Sequence, residues 1–436
     1  MNDKKAVVIG GGLAGVEAAK QLSKRGVKVT LYEMKPRKFS PAHKSEKLAE
    51  LVCSNSLKAE RVGSAAGLLK AEMSLFGSVC VDAAYKAKVP AGGALAVDRD
   101  VFSDEITKSI ESDENITLIR EEITEIPSDG IVIIAAGPLV SDSLAQKIGE
   151  LCGKDFLSFY DAAAPIVTAD SIDMENAFTQ SRYDRGGEDD YINCPLDKAQ
   201  YEEFYEALVN AESADLHSFD KRKDVYEGCM PIEVLASRGK AAMRYGPLKP
   251  VGLTNPKTGH RPWANLQLRK DTRDGTMYTL VGFQTNLKFP EQKRVFSMFP
   301  ALKNAEFVRY GVMHRNTFLN SPGLLSYDFS LKKDPRIYFA GQISGVEGYM
   351  ESASSGILAG YNAARRIFGE EPILLPKITM MGALSQYISD ETVKNFQPMG
   401  AAFGIINPLD ERIKDKKERY ETLAKRSLDY FKTIDL

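Results

Sequence analysis

The sequence predicts an α/β fold on a parallel sheet that the chain enters at its N-terminus, leaves once and re-enters near its C-terminus. Three observations carry this expectation. A β-branched run, Ala6-Val7-Val8-Ile9, opens directly onto the glycine cluster Gly10-Gly11-Gly12-Leu13-Ala14-Gly15. Two later apolar runs, Ile131-Val132-Ile133-Ile134 and Ile337-Tyr338-Phe339, also end in small-residue turns, Ala135-Ala136-Gly137 and Ala340-Gly341. Between residues 166 and 308 the strand–glycine–helix alternation stops. An α+β insertion domain is expected there, splitting one discontinuous unit into residues 1–165 and 309–436.

The first run has the composition of a parallel strand buried on both faces. The glycines occupy the three positions of G-x-G-x-x-G, and residues 16–24 follow as a helix with Ala18, Ala19 and Leu22 inward. Gly26 stops that helix, and residues 27–32 form a second strand closing on Glu33. Gly10 permits a tight turn, and Gly12 lets backbone N–H groups approach a pyrophosphate. Gly15 lets the helix lie against the strand with its positive end toward the phosphates. Glu33 is placed to accept hydrogen bonds from an adenosine ribose. All these parts occur in order within 28 residues, which is far more specific than the glycine pattern alone. Gly10, Gly11, Gly12, Leu13, Ala14, Gly15 and Glu33 are thus the expected dinucleotide residues.

FAD suits the rest of the chain better than NAD. Residues 116–120 and 131–137 read as further strands, and residues 337–341 as another, followed by Gln342-Ile343-Ser344-Gly345-Val346-Glu347-Gly348. A helix rich in small residues comes next (Ser352, Ala353, Ser354, Ser355, Gly356, Ala359, Gly360). Such a helix is expected to lie close to the sheet and aim its N-terminus at the flavin end of an extended cofactor, adding Gly137, Gly341 and Gln342 to the binding residues. This three-part layout resembles the glutathione-reductase-like flavoproteins and their FAD-binding Rossmann domain, although many of that class carry Asp where this chain has Gln342. No second G-x-G-x-x-G occurs; Ala91-Gly92-Gly93-Ala94 lacks both the third glycine and a following helix. A nicotinamide reductant is therefore expected to dock on the flavin face.

Composition narrows the function classes. The net charge of −2 predicts no global attraction to nucleic acid, yet residues 221–273 hold twelve Lys/Arg against four Asp/Glu, with Tyr226, Tyr245 and Trp263 interleaved. A solvated face has that charge density too, but cations mixed with aromatics suit RNA. Arg238, Lys240 and Arg244 are the expected phosphate contacts. The five cysteines contain no C-x-x-C pair, and His43, His217, His260 and His314 stand far apart, so neither a disulfide framework nor a zinc site is expected. No apolar stretch approaches the ~20 residues of a membrane helix. The N-terminus runs straight into a strand without a signal peptide, so a cytoplasmic enzyme is expected. Residues 197–211 and 414–436 read as charged helices, the latter with Leu423 and Leu428 inward, and residues 265–269 and 277–283 as strands.

Two thiols stand out by their settings. Cys53 sits in the polar turn Cys53-Ser54-Asn55-Ser56, where a flavoprotein loop reaches the isoalloxazine. Cys229 lies between Gly228 and Met230-Pro231 inside the basic insertion, where neighbouring cations favour a thiolate. Cys80, Cys152 and Cys194 are expected as inert packing groups.

Five segments now become specific together. They are the 10–15 fingerprint, Ala49-Glu50-Leu51-Val52-Cys53-Ser54-Asn55-Ser56-Leu57-Lys58, the stretch 89–99, Tyr310-Gly311-Val312-Met313-His314-Arg315-Asn316, and the stretch 340–349 ending in Tyr349. Jointly they resemble the folate- and FAD-dependent tRNA uracil-5 methyltransferases, from the first strand to the C-terminal helix. The resemblance implies methylation of the T-loop uridine of tRNA, with carbon from methylenetetrahydrofolate and a flavin reduced by NADPH or NADH. It matches Cys53 and Cys229 to the family's two functional cysteines and Tyr349 to an aromatic side chain stacking on the flavin.

The chemistry explains those parts. C5 of uracil becomes nucleophilic only after a nucleophile adds at C6, and a thiolate both adds and leaves well. Cys229, on the basic insertion, is the expected attacking group; Cys53, near the flavin, guards the one-carbon unit or removes the C5 proton. The two roles remain exchangeable at this level. A 23S rRNA uracil-5 methyltransferase on the same scaffold is one alternative. Wobble-uridine flavoenzymes share the Gln-containing motif but resemble longer chains. A small-molecule FAD oxidoreductase leaves the basic insertion and Cys229 without a role, and a non-catalytic flavin module leaves both cysteine motifs unexplained.

Overall fold

The computed structural model describes residues 4–153, 156–184, 186–187, 189–214, 230–394 and 396–436. Lys5–Ile9 runs parallel to Lys28–Tyr32 on one side and to Ile131–Ile134 on the other. Ile116–Ile119 and Asp334–Phe339 extend this sheet in parallel at its two ends, and Ser330–Leu331 closes one edge antiparallel. Val8, Leu31, Ile133 and Phe339 are inaccessible to solvent, the reason these strands read as unbroken apolar runs. Register aligns Ile9 with Tyr32 and Ile134, and Ile134 with Phe339. The turns that follow, at residues 10–12, 135–137 and 340–342, therefore emerge side by side at the carboxyl edge of the sheet.

The first helix, Leu13–Lys24, starts three residues earlier than the apolar spacing predicts, because Leu13 and Ala14 already pack inward. A Cβ on Gly15 would lie 1.8 Å from the Gly10 carbonyl oxygen, so the helix seats directly on its own turn. The small-residue helix, Tyr349–Ile367, corrects one expectation. Its closest approach is to the first helix and not to the sheet: a Cβ on Gly356 would meet the Ala14 oxygen at 2.1 Å, and one on Gly360 the Ala18 oxygen at 2.5 Å. Glycines four apart share a helix face, and that bare stripe lets the two backbones touch.

A second sheet orders Phe178–Thr179, Tyr191–Leu196, Ala264–Lys270, Met277–Leu280, Ile166–Thr168 and Phe307–Arg309, antiparallel throughout. The strand expected over 277–283 is shorter because Gly282 turns the chain at φ +77°. Helix Lys198–Val209, opened by an Asp197–Gln200 capping box, packs Phe204 against Phe283 and Phe299 at ring separations of 6.1 and 4.9 Å. This core draws on residues from Val167 to Ala305, the other on residues up to Cys152 and from Phe318 onward. Between them Phe156–Ala162 and Met313–Leu319 pair as an antiparallel ribbon. Residues 91–93 of the Ala91–Ala94 segment turn the chain between strands Lys88–Val89 and Ala94–Val97.

Cys80, Cys152 and Cys194 are buried, and burial pushes the Cys80 and Cys194 thiols well above their ordinary range. Leu423 of the C-terminal helix Lys416–Phe431 is buried and Leu428 half-buried. Among the described residues no helix is long and apolar enough to cross a membrane.

Candidate active-site cleft

The three aligned turns form the floor of a cleft of about 440 Å³. Gly10, Gly11, Gly12, Leu13, Ala14, Glu33, Gly137, Gly341, Gln342 and Tyr349 all line it, together with Cys53. Gly15 does not line it and acts beneath, in helix seating. Two helices begin at this cleft, with Gly12 and Gly348 as N-caps, and neither has a side-chain cap. Their first-turn N–H groups and positive dipole ends are left for an anionic ligand. A Cβ on Gly12 would have no neighbour within 4 Å, so space outside that backbone is clear, whereas one on Gly10 would lie 2.4 Å from the Ala135 oxygen. An open glycine over a close-packed one is the cradle a pyrophosphate needs.

Glu33 is buried and already accepts hydrogen bonds from the N–H of Gly11 at 2.8 Å and of Lys35 at 2.9 Å. Each carboxylate oxygen keeps a lone pair for a ribose hydroxyl. At the other end of the cleft, Gln342 donates through Nε2 to Glu347 Oε2 at 2.5 Å. The Gln342 amide is thus held by an acid five residues later.

Cys53 and Tyr349 meet at the cleft wall: the backbone N–H of Cys53 donates to the Tyr349 phenol oxygen at 2.7 Å. Three arginines fasten the loop around the thiol. Arg99 donates to the carbonyls of Leu51 at 2.9 Å and Cys53 at 3.2 Å, and pairs with Asp271 at 3.2 Å. Arg309 donates to the Val52 carbonyl. From the second sheet, Arg269 donates to Ser54 Oγ at 3.0 Å and to Asn55 Oδ1 at 2.7 Å. Burial and the Arg99 charge push the Arg309 pKa down, while the Tyr349 phenol and the Cys53 thiol oppose that shift. The Cys53 thiol itself donates to the Ala162 carbonyl at 3.6 Å.

Comparison with known proteins decides the family of the chain. The family described as glucose inhibited division protein A matches residues 5–371. The methylenetetrahydrofolate–tRNA-(uracil-5-)-methyltransferase TrmFO of Acetivibrio thermocellus is 58% identical over 425 residues, covering 98% of this chain and 97% of that protein. The protein of the same name from Fusobacterium nucleatum is 54% identical over 430 residues, covering 99% and 98%. The chain belongs to the TrmFO family. Among solved structures, GidA of Aquifex aeolicus aligns with a TM-score of 0.70 at 17% identity, over 99% of this chain and 73% of that one, a likeness of fold.

TrmFO proteins are named for a tRNA substrate, which directs attention to the basic stretch. Arg238 is exposed there. Lys240 is engaged by Glu206 at 2.9 Å, and that carboxylate raises the pKa of its ammonium. The Arg244 guanidinium lies 3.8 Å over the Trp263 ring, and its Nε donates to the Trp263 carbonyl at 2.9 Å. None of the three lines the cleft. Cys229, Tyr226 and His217 lie outside the described residues. Sequence reading missed Arg99, Arg269 and Arg309 as site residues. Arg99 closes the family segment 89–99 and Arg309 immediately precedes the segment 310–316, so adjacency to those segments was the available signal. Arg269 carried none, because a strand end gives no hint of the loop it will meet.

Proposed function

We infer that this chain transfers the one-carbon unit of methylenetetrahydrofolate to C5 of a uracil in the tRNA T-loop, using FAD reduced by NADPH or NADH. The observation that carries this reading is the Cys53–Tyr349 contact inside a dinucleotide cleft, at a loop that the second sheet also holds through Arg269.

The cradle at Gly12 and the carboxylate of Glu33 would hold the pyrophosphate and ribose of FAD, and Tyr349, Gly341 and Gln342, which line the same cleft, are assigned to its ring system. Reduced FAD supplies the hydride that turns a methylene carbon into a methyl group. The remaining chemistry belongs to the side chains. Cys229 is assigned the addition to C6: a sulfur–carbon bond forms and electron density moves onto C5 and O4. C5 then bonds the folate methylene carbon, and loss of the C5 proton breaks that carbon's bond to the folate nitrogen, so tetrahydrofolate leaves and an exocyclic methylene remains. A hydride added to that methylene would restore the C5–C6 double bond and release the thiolate. Cys53, in its cationic loop, is assigned either to shield the one-carbon unit or to accept the C5 proton. Residues 166–308 form the RNA-binding insertion in this reading, with Arg238, Lys240 and Arg244 on its phosphate-facing side. The reaction is placed in the cytoplasm, where tRNA and folate cofactors meet.

The test is isotopic. Carbon-labelled methylenetetrahydrofolate with unlabelled S-adenosylmethionine, and then the reverse, is supplied with tRNA, FAD and NADPH. Label should enter 5-methyluridine from folate alone and only with FAD present. Label entering from S-adenosylmethionine would overturn the assignment.

A further inference from the structure

Six aromatic side chains are exposed among the described residues; two of them, Tyr245 and Trp263, belong to the basic stretch, and a third, Tyr183, packs against it at Gly252. Arg244 covers the Trp263 ring. Asn265, two residues beyond Trp263, donates its N–H to the Leu248 carbonyl at 3.1 Å. The loop then reaches Gly252, whose carbonyl accepts the Tyr183 N–H at 3.0 Å and against which the Tyr183 ring packs. Arg238, Lys249 and Arg261 are exposed around these rings.

Tyr245 is the outlier. It follows the anchored Arg244 directly and is 85% exposed, compared with 54% for Tyr183 and 38% for Trp263. Its ring contributes little to the core, while the flat Arg244–Trp263 pair beside it gives its backbone a rigid base. Strand Ala264–Lys270 leaves this surface and carries, one residue before its end, Arg269, which donates to Ser54 in the Cys53 loop. At about 3.3 Å per residue, the surface and the thiol loop are roughly 20 Å apart along one rigid strand.

We propose that Tyr245 stacks on an unpaired nucleobase of the tRNA substrate, with Tyr183 and Trp263 as flanking surfaces, while the target uracil enters the cleft. This rests on the tRNA reading given above. The surrounding charge selects the occupant: a solvent-facing ring among exposed cations suits a polyanion carrying aromatic faces, and an apolar protein partner would have to bury the charges of Lys249 and Arg261. Single-stranded loops offer the open base faces that such a ring requires. Arg244, stacked on Trp263, supports the platform from the phosphate-facing side.

The experiment uses the full-length, FAD-loaded protein and unmodified tRNA. Tyr245→Ala should raise Kd and KM for tRNA about ten-fold, with FAD content and thermal midpoint held at the wild-type values. Tyr245→Phe should restore binding, because the ring and not the hydroxyl carries the contact. The salt dependence of binding should keep its slope in Tyr245→Ala, since no phosphate contact is lost. Wild-type affinity in Tyr245→Ala, or equal weakening in Tyr245→Phe, would overturn the stacking proposal alone. Wild-type protein that holds FAD but does not bind tRNA would overturn the tRNA reading and the proposal with it.

Discussion

The Tyr349 phenol oxygen accepts a hydrogen bond from the Cys53 backbone N–H at 2.7 Å, across 296 positions of sequence. Tyr349 is the first residue of the helix that opens onto the cleft, and Cys53 sits in a loop that three arginines hold. The contact sets the height of the thiol loop against the cleft floor.

Removing that acceptor tests its importance. Tyr349→Phe should cost about 1 kcal/mol at this joint, keep its FAD, and lower methylation turnover several-fold as the loop loses its register. Tyr349→Ala should lose flavin as well, since the ring goes too. Absorbance near the flavin band and initial rates separate the two. A fully active Tyr349→Phe would show that the hydrogen bond is dispensable.

Three sites in the fingerprint segment should fail in different ways. Gly12→Val meets open space in the protein, so it should fold normally yet purify without FAD. Gly15→Val would drive a side chain into the Gly10 carbonyl, 1.8 Å from its Cβ, and should be lost to misfolding. Glu33→Ala removes the acceptor of two backbone N–H groups, which should cost about 1–3 kcal/mol and lower flavin content together. Flavin-to-protein absorbance ratios and thermal melts check all three.

The nucleophile can be trapped. A T-arm RNA carrying 5-fluorouracil should form a covalent adduct, because fluorine does not leave C5 as a proton does. Cys229→Ala should lose the adduct while retaining FAD. An adduct that persists there and vanishes in Cys53→Ala would exchange the two roles.

Glu72 should make stability depend on pH. It is fully buried, accepts the N–H groups of Met380 at 2.7 Å and Met381 at 2.8 Å, and receives the Ser427 hydroxyl at 2.6 Å. Burial pushes its pKa up to about 7, against the opposing pull of those donors. A folded-state pKa above the unfolded one means that the contribution is complete below about pH 4.5. It is lost as pH rises through about 7, a change of about 3 kcal/mol. Thermal midpoints of Glu72→Gln between pH 5 and 7.5 should therefore fall less steeply than those of the wild type; parallel curves would sink the assignment.

The Rossmann strands, the first glycine turn and the acid at Glu33 were legible in the sequence because each is a local pattern. A buried strand must be continuously apolar, a turn beside a phosphate must be bare, and the acid must close the second strand. Cys53 could be singled out for the same reason, from its polar neighbours. The helix Tyr349–Ile367 shows where local reading stops: its small residues announced a close approach, but only packing revealed that the surface approached is Ala14 and Ala18 of the first helix. Likewise, the positive charge of Arg244 was visible in the sequence, and its commitment to the Trp263 ring was not.

What the sequence by itself determined is the set of short-range devices, namely strand, glycine turn, acid and the polar turn that carries Cys53, each specified by a few neighbouring residues. What only the tertiary structure decided is which distant pieces share the cleft. Tyr349, Arg99, Arg269 and Arg309 reach the Cys53 loop from four separate elements. Hydrogen bonds between them depend on how two sheets and a ribbon are oriented, and that orientation comes from burying two whole cores at once, a sum over many residues that no single segment encodes.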